Sequence, residues 1–429
     1  MSSTVTDSLS PEQKSRARRA VVAASLGNAL EWFDIIVYGF LATTISKLFF
    51  SGEHAEEGTV TGLLLTFGTF ALSYFIRPVG AVVIGNIGDR YGRKTALTVT
   101  IGLMTLGVAI MAFAPTATTV GAVAPFIILL SRLIQGFSAG GEFGSATAFL
   151  TENAAERKAF YGSWQVATQG ISMLLAGAFG FALNTMISTE ALESWGWRVP
   201  FIFGILIGPV GWYIRTQMDD TPEFTQADKS DSPTLEVLFR HIGRILTAAA
   251  CVGVATMSVY LITYLPTFAI KNLQLAPWSG FAGAFVAGCV TFVLSPFIGK
   301  LADRVGSVTV MVPTAIVGFV LAYPMFLLVV SSKSIGALIA VEIVLGILMS
   351  FYFAPLPALM SSLFPTRVRT SGMSIAYNVG VTLMGGLAPL ILAALVEYFS
   401  LLSPSYYYML IAAISLVGLT LARRVYGER

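Results

Sequence analysis

Two stretches of this 429-residue sequence carry polar and ionisable residues at matching intervals within apolar surroundings. The first set is Asn28, Glu31, Asp34 and Tyr38, and the second is Arg132, Gln135, Ser138 and Glu142. In both sets the members are offset by 3, 6 and 10 positions. At about 100° per residue, each set forms a stripe about 120° wide on an α-helix. The stripes therefore predict two helices whose polar sides face protein or water.

Asp34 and Arg132 have the clearest chemistry in these stripes. An arginine keeps its proton in proteins, whereas a buried carboxyl group can gain and lose one near neutral pH. An ionised Asp34 would neutralise Arg132, and protonation of Asp34 would free Arg132 to bind an anion. We predict proton coupling at this pair; the alternative is a permanent structural ion pair.

Glu31 and Glu142 are two further acids in the stripes, and either could be a second proton-coupling site. Glu142 lies ten residues beyond Arg132, about 15 Å along a helix. It could instead support the close approach of nearby glycines to a neighbouring helix. We place both acids in the predicted proton-coupling set.

Side chains suited to binding a small acid occur in both halves of the sequence. Arg77 could hold a carboxylate or pair with an acid of the first stripe. Gln165 and Gln169 share a helical face, where amides suit carboxylate oxygens but also link helices to each other. The tyrosines could equally be packing residues. The predicted substrate-binding set is Asn28, Tyr38, Arg77, Arg132, Gln165, Gln169, Tyr260, Tyr264, Glu342 and Asn378.

The amino-acid composition indicates whether the helices that carry these residues lie in water or in a membrane. Apolar residues make up 55% of the sequence and charged residues 11%, with a mean hydropathy of +0.77. Soluble proteins carry about a quarter charged residues. Twelve stretches are long enough to cross a bilayer as helices, which predicts an all-α membrane protein. The predicted spans are 20–48, 60–87, 95–113, 122–149, 158–186, 199–216, 244–270, 279–299, 308–330, 335–362, 371–397 and 404–422.

The twelve spans divide into two repeated halves. Asp89 and Asp303 each end a Gly-x-x-x-Asp motif and are 214 positions apart, while Arg157 and Arg367 are 210 apart. We predict a tail over 1–19, a six-helix bundle over 20–216, a linker over 217–242 and a second bundle over 243–425. Two pseudo-symmetric bundles imply a cleft between them and transport by alternating access.

The distribution of Lys and Arg predicts the orientation of the chain. With the N-terminus in the cytoplasm, cytoplasmic segments hold 20 of the 26 basic residues. Basic residues favour the cytoplasmic side of a membrane. We therefore expect both termini in the cytoplasm.

Few reactive residues are available for other functions. The two cysteines lie in apolar runs, the two histidines lie in polar segments, and the net charge is +3. We find no metal-ligand cluster, no Ser-His-Asp set and no phosphate-binding loop. The sequence thus predicts a protein that is not an enzyme, binds no metal or cofactor and does not bind nucleic acid.

Several motifs carry a resemblance to a known family. The loop 85–94 reads Gly-x-x-x-Asp-Arg-x-Gly-Arg-Lys, which resembles the signature loop of the major facilitator superfamily. The segments at 26–34, 75–80, 132–142, 196–201 and 364–369 are similar to those of its bacterial metabolite–proton symporters, which carry citrate, α-ketoglutarate, shikimate, proline or betaine. The resemblance extends from about residue 20 to 424.

The resemblance implies the fold, the location and the gates. It implies a major facilitator fold in the bacterial inner membrane, acting as a monomer on a small organic acid together with protons. Asp89 or Asp303 would cap a helix of the opposite half, and Arg93 would pair with an acid such as Glu152. The predicted gating residues are Gly85, Asp89, Arg93, Glu152 and Asp303.

The substrate has more than one candidate. Gly162-Ser163-Trp164-Gln165 with Gln169 resembles the fifth helix of citrate–proton symporters, which favours a di- or tricarboxylate. Other segments resemble proline and betaine symporters as well. A drug–proton antiporter is a weaker alternative, because the fifth helix lacks a Gly-Pro-x-x-Gly-Gly element. Sodium in place of protons is left open.

Overall fold

A computed structural model describes residues 28–50, 60–152, 155–216 and 240–428 of the chain. Regular secondary structure in these ranges is helical. Ten of the described helices are long and apolar enough to cross a membrane, and a bent pair of helices makes an eleventh span. A further helix of 18 residues, Val199–Thr216, is about 27 Å long. The predicted all-α, twelve-helix membrane fold is confirmed.

The N-terminal half contains α1 to α6. Its helices are α1 Asn28–Phe40 continued by Ala42–Phe49, α2 Val60–Tyr91, α3 Arg93–Ala112, α4 Ala124–Glu152, α5 Lys158–Met186 and α6 Val199–Thr216. The predicted start of the first span at residue 20 lies outside the described residues. So do the predicted tail and nearly all of the predicted linker.

The C-terminal half contains α7 to α12. Its helices are α7 Ile242–Lys271, α8 Trp278–Val305, α9 Ser307–Ser332, α10 Ile335–Phe353 continued by Leu356–Leu363, α11 Arg369–Val381 continued by Ala388–Tyr398, and α12 Ser403–Tyr426.

Three predicted spans are not single uninterrupted α-helices in the structure. The two parts of α1 meet at Leu41 with a bend of 69°. In α10 the break lies at Ala354 and Pro355, before Leu356, where the proline lacks a backbone donor. In α11 a π-helical turn covers Thr382–Gly386.

The internal repeat is visible in the backbone. Gly92 separates α2 from α3 with φ of 105°, and Gly306, 214 positions later, separates α8 from α9 with φ of 95°. Positive φ strains residues that have a Cβ. Glycine therefore allows the same tight reversal after the signature motif in both halves.

Matching glycines also set the helix packing within each half. A Cβ added at Gly136 of α4 would overlap the Ser73 carbonyl oxygen of α2. A Cβ at Gly346 of α10 would lie 2.9 Å from the Ala287 carbonyl oxygen of α8. The two glycines are 210 positions apart and their neighbours 214 apart. The halves therefore share one packing scheme.

The two halves contact each other mainly through α5 and α8. A Cβ added at Gly170, Gly177 or Gly288 would lie 2.5–2.8 Å from backbone atoms of the opposite helix. The two backbones therefore pack directly against each other over several turns. Any rocking of one half against the other must displace this pair.

Contacts between the halves also occur on both sides of the membrane centre. Toward the predicted periplasmic side, the rings of Phe40 and Phe281 are 5.6 Å apart, and those of Phe67 and Tyr264 are 6.1 Å apart. Toward the predicted cytoplasmic side, a Cβ at Gly85 of α2 would lie 3.4 Å from the Ser371 Cα of α11.

Candidate functional site

Asp34 of α1 and Arg132 of α4 form a buried ion pair in the N-terminal half. Arg132 Nη2 donates to Asp34 Oδ1 at 3.1 Å, and Nη1 lies 2.9 Å from Oδ2. Gln135, one turn further along α4, donates to the same Oδ1 at 3.2 Å. Both charged side chains are 2% exposed. The two polar stripes therefore face each other, and the guanidinium contacts both carboxylate oxygens, one of them through a hydrogen bond.

Tyr38 fixes the guanidinium from the opposite side. The Arg132 guanidinium carbon lies 4.3 Å from the centre of the Tyr38 ring, a cation–π contact. The Tyr38 hydroxyl contacts the Thr66 carbonyl oxygen at 3.1 Å and Thr69 Oγ1 at 2.8 Å. Arg132 therefore contacts the Tyr38 ring in addition to its carboxylate partner.

Glu31 and Arg77 form a second buried pair one turn from the first. Arg77 Nη1 lies 3.3 Å from Glu31 Oε1, and its guanidinium carbon lies 4.0 Å from the centre of the Tyr74 ring. Of the two interpretations of Arg77, the structure presents the one in which it pairs with an acid of α1. Both arginines thus lie between a carboxylate and an aromatic ring.

Glu142 shares a small polar cavity with Glu31. The cavity has a volume of about 10 Å³, close to the minimum for one water molecule. Glu142 accepts a short hydrogen bond from Thr100 of α3, and Ser138 donates to the Thr100 carbonyl oxygen at 2.6 Å. The third acid of the site therefore lies on the side of Glu31 toward the predicted cytoplasmic surface.

The two glutamine side chains of α5 differ in their hydrogen bonds. Asn28 donates to the Gln165 carbonyl oxygen at 2.8 Å, and Thr147 donates to Gln165 Oε1 at 3.0 Å. Gln169 is fully buried, and neither of its side-chain polar atoms has a hydrogen-bond partner in the described part of the chain. The side-chain oxygen and nitrogen of Gln169 could therefore both hydrogen-bond to a substrate.

Aromatic and hydroxyl groups connect the two halves beside Arg77. The hydroxyls of Tyr74 and Tyr260 form a short hydrogen bond. Trp32 and Phe70 place ring centres 6.4 and 6.0 Å from that of Tyr260. Sequence reasoning found Tyr260 but missed Tyr74, Trp32 and Phe70. The spacing of Tyr74 three residues before Arg77, on one helical face, was the available signal.

Asn378 and Tyr377 of α11 bring a second connection to α4. Asn378 Nδ2 donates to the carbonyl oxygens of Gly140 and Ser374 at 2.6 and 2.7 Å. Tyr377 stacks on Phe143 with ring centres 3.6 Å apart. The Asn378 amide therefore serves the contact between halves in this conformation.

Two predicted residues lie apart from this cluster. Tyr264 borders a cavity of about 30 Å³ toward the predicted periplasmic side, together with Lys271 and Glu397. Glu342 of α10 is fully buried against Gly283 of α8. The structure does not bring either residue to Asp34 or Arg132.

Of the predicted gating residues, the structure describes Gly85 and the side chain of Asp303. Asp303 of α8 accepts from the backbone nitrogens of Ala159 and Phe160 at 2.8 and 3.0 Å. It therefore caps the N-terminus of α5 in the other half, where a negative charge is favourable. The side chains of Asp89, Arg93 and Glu152 lie outside the described part of the structure.

Comparisons with known proteins agree with this architecture. The family model described as the Major Facilitator Superfamily matches residues 25–389 and 281–429. The "Citrate-proton symporter" of Klebsiella pneumoniae is 33% identical over 401 residues, covering 92% of this chain and 89% of that protein. The "Proline/betaine transporter" of Salmonella typhimurium is 33% identical over 418 residues, covering 94% and 82%.

Solved structures show the same fold. The proton:xylose symporter XylE bound to 6-bromo-6-deoxy-D-glucose superposes with a TM-score of 0.75 over 95% of each chain, at 15% identity. With the matched family model and relatives above 30% identity over nearly the whole length, the conclusion is direct: this chain belongs to the Major Facilitator Superfamily of membrane transporters.

Proposed function

We propose that the protein imports a small organic anion, a di- or tricarboxylate of the citrate type, together with protons by alternating access. The observation that carries the proposal is the buried pair of Asp34 and Arg132. A fixed positive charge next to an acid that can be protonated links anion binding to proton binding. Arg132 would bind either Asp34 or a substrate carboxylate, and this exchange requires no chemical step besides protonation of Asp34.

The proposed cycle begins with the pair open to the outside. A proton enters on Asp34 and cancels its charge, so that the Arg132 guanidinium, still held by the Tyr38 ring, is left without a charged partner. A substrate carboxylate takes the place of Asp34 with two hydrogen bonds. After the cleft opens inward, loss of the proton restores the pair and expels the substrate.

The second pair supports a substrate with more than one carboxylate. Arg77 and Glu31 repeat the arrangement of arginine, acid and aromatic ring. Protonation of both acids would provide two guanidinium groups for two carboxylates, and Glu142 offers a proton-binding group further toward the cytoplasm. We assign Gln169 and Asn28 to substrate contacts from α5 and α1.

A zwitterion such as betaine or proline is the second candidate. The aromatic rings of Trp32, Phe70, Tyr74 and Tyr260 cluster beside Arg77. Aromatic rings attract quaternary ammonium groups, and Arg77 would bind the carboxylate. The relatives named above, one for citrate and one for proline and betaine, are equally similar to this chain.

The proposal includes the orientation and the gate. The protein would lie in the bacterial inner membrane with both termini in the cytoplasm and act as a monomer. Asp303 would lock the cytoplasmic ends of α5 and α8 when the cleft is closed to that side, and Asp89 would do the same in the other half. Reporter fusions at Ser188 and Ser332 should then score periplasmic; a cytoplasmic score at either would overturn the orientation.

Uptake by purified protein in proteoliposomes tests the function. Labelled citrate, α-ketoglutarate, proline and betaine are compared under an inward proton gradient and under a sodium gradient. We expect citrate-type acids to accumulate only with the proton gradient and to leak out when a protonophore is added. Accumulation of betaine or proline alone would select the second candidate. Accumulation driven by sodium alone would overturn proton coupling.

A further inference from the structure

Glu342 of α10 is a buried acid that the proposed cycle does not use. Its side chain is 0% exposed, and neither carboxylate oxygen has a hydrogen-bond partner among the described residues. Gly283 of α8 lies against it: an added Cβ there would be 2.8 Å from Glu342 Cγ. The absence of a side chain at Gly283 makes the space that Glu342 occupies.

The internal repeat places Glu342 at the position of Arg132. The two residues are 210 positions apart, the same interval that relates the packing glycines of α4 and α10. Gly283 is 214 positions after Thr69, which bonds Tyr38 beside Arg132. Glu342 also lies seven residues into α10, about 11 Å along the helix. It thus has the depth of the proton-coupling pair in the opposite half.

The neighbours of Glu342 do not supply a counter-charge. The first part of α10, which carries Glu342, packs against α7, α8 and α9 and also touches α5, whose titratable residues Lys158 and Tyr161 lie at its cytoplasmic end. The titratable groups on these helices near its depth are Tyr260 and Tyr264 of α7, Cys289 of α8 and Tyr323 of α9. Tyr260 bonds a tyrosine of α2, and Tyr264 and Tyr323 contact rings of α2 and α12. The basic residues of α7 and α8 lie toward the ends of those helices.

A carboxylate in this position cannot keep its charge in the conformation described. An ionised group without a partner in an apolar interior is strongly disfavoured, and it binds a proton instead. A structural acid would be expected to find a hydrogen-bond partner. A buried acid without such a partner is expected to be neutral through its own proton, which it could lose when water reaches it.

We propose that Glu342 is a second proton-binding site of the transport cycle, protonated when the halves are closed and deprotonated when opening of the cleft admits water beside α8. This rests on the proposed proton-coupled function. The mechanical link is α8, which carries Gly283 on one face and packs directly on α5 of the other half at Gly288. Because α8 and α10 belong to the same half and move together, rocking changes the surroundings of Glu342 by separating α8 from α5 and admitting water beside α8.

Two measurements on Glu342→Gln test the inference. Infrared spectroscopy on the substrate-free protein should show a protonated-carboxyl band that is missing from Glu342→Gln and present in Ser350→Ala, a control on the same helix. The reversal potential for whichever of labelled citrate or betaine the uptake panel shows to be transported should give one proton fewer per substrate in Glu342→Gln.

Each outcome has a defined meaning. A difference spectrum between the parent and Glu342→Gln that contains no protonated-carboxyl band would overturn the inference, and so would an unchanged proton-to-substrate ratio in a transporting variant. If Glu342→Gln does not transport, the infrared measurement decides. If the parent protein moves no protons with either substrate, the proposed function fails, whereas the infrared band still tests Glu342 by itself.

Discussion

The two halves of this transporter share their packing but differ in their charge. In the N-terminal half Arg132 and Arg77 each contact a carboxylate and an aromatic ring. In the C-terminal half the position that corresponds to Arg132 holds Glu342, whose carboxylate has no hydrogen-bond partner in the part of the chain that the structure describes. A duplicated fold has therefore kept the glycines that set helix contacts and exchanged the residues that carry charge.

This difference assigns separate tasks to the halves. We propose that the paired charges of the N-terminal half exchange partners during transport, while a ring contacts each arginine. In the same proposal, the C-terminal half supplies tyrosine hydroxyls and an asparagine to the contact between the halves, and Glu342 lies apart from that contact. Substitutions at corresponding positions should therefore have unequal effects.

Arg132→Ala should have the largest effect. Removing two charge-assisted hydrogen bonds, each contributing about 1.5–3 kcal/mol, should weaken binding of citrate-type acids by at least about 100-fold. We expect the variant to fold, because Asp34 can take up a proton. Calorimetry on purified, monodisperse protein measures the loss, with Lys47→Gln as a control that breaks a partly exposed ion pair to Glu193.

A substitution of Glu342, which corresponds to Arg132 in the C-terminal half, provides the comparison for Arg132→Ala. Glu342→Leu should retain substrate binding, because no charged partner is lost. If Arg132→Ala instead yields no folded protein and Asp34→Asn restores it, the pair is structural and the division of tasks is wrong.

Arg132→Lys should have the next largest effect. Lysine keeps the charge but lacks the planar fork that binds a carboxylate through two nitrogens. Loss of one such hydrogen bond should weaken binding by about 10- to 100-fold. An affinity equal to that of the parent in calorimetry would remove Arg132 from carboxylate binding.

Tyr260→Phe tests the C-terminal half directly. The substitution removes the hydroxyl that bonds Tyr74 but leaves the ring packing in place. A neutral hydrogen bond contributes about 0.5–1.5 kcal/mol, so we expect a change of about tenfold or less in affinity for the transported substrate. A loss as large as that of Arg132→Lys would contradict the assignment of charge recognition to the N-terminal half.

Asp303→Asn should have the smallest effect. The amide oxygen can accept from one of the two backbone donors of α5 and leaves the other, at an exposed helix end, to water, and the charge that favours a helix N-terminus, which contributes about 0.3–1 kcal/mol, is lost. Transport should slow by about fivefold or less with an unchanged ranking of substrates. A changed ranking in the uptake panel would place Asp303 in the binding site instead of the gate.

The helices could be predicted from the sequence, but their distortions could not. Spans such as 60–87 match Val60–Tyr91 closely, because length and apolarity alone define a membrane helix. The π-helical turn of α11 accompanies tertiary packing, since Gly385 and Gly386 lie directly against Tyr260 and Tyr74. No local pattern in α11 reports a ring supplied by another helix.

The site was predictable where charge stood out from its surroundings. The contact between Asp34 and Arg132 followed from two matching stripes, because intramembrane charges must find partners. Phe70 was missed because an aromatic residue in an apolar helix does not by itself distinguish packing from a binding site, whereas the spacing of Tyr74 to Arg77 was a signal that went unused. The space for Glu342 depends on Gly283, which is remote in sequence.

Asp34→Asn in proteoliposomes tests proton coupling most directly. The amide imitates the protonated acid, so exchange of labelled for unlabelled substrate across the membrane should continue, while accumulation driven by an imposed pH gradient should be lost. The parent protein should show both activities under the same conditions. Full accumulation by Asp34→Asn under the pH gradient would contradict the assignment of proton coupling to the pair with Arg132.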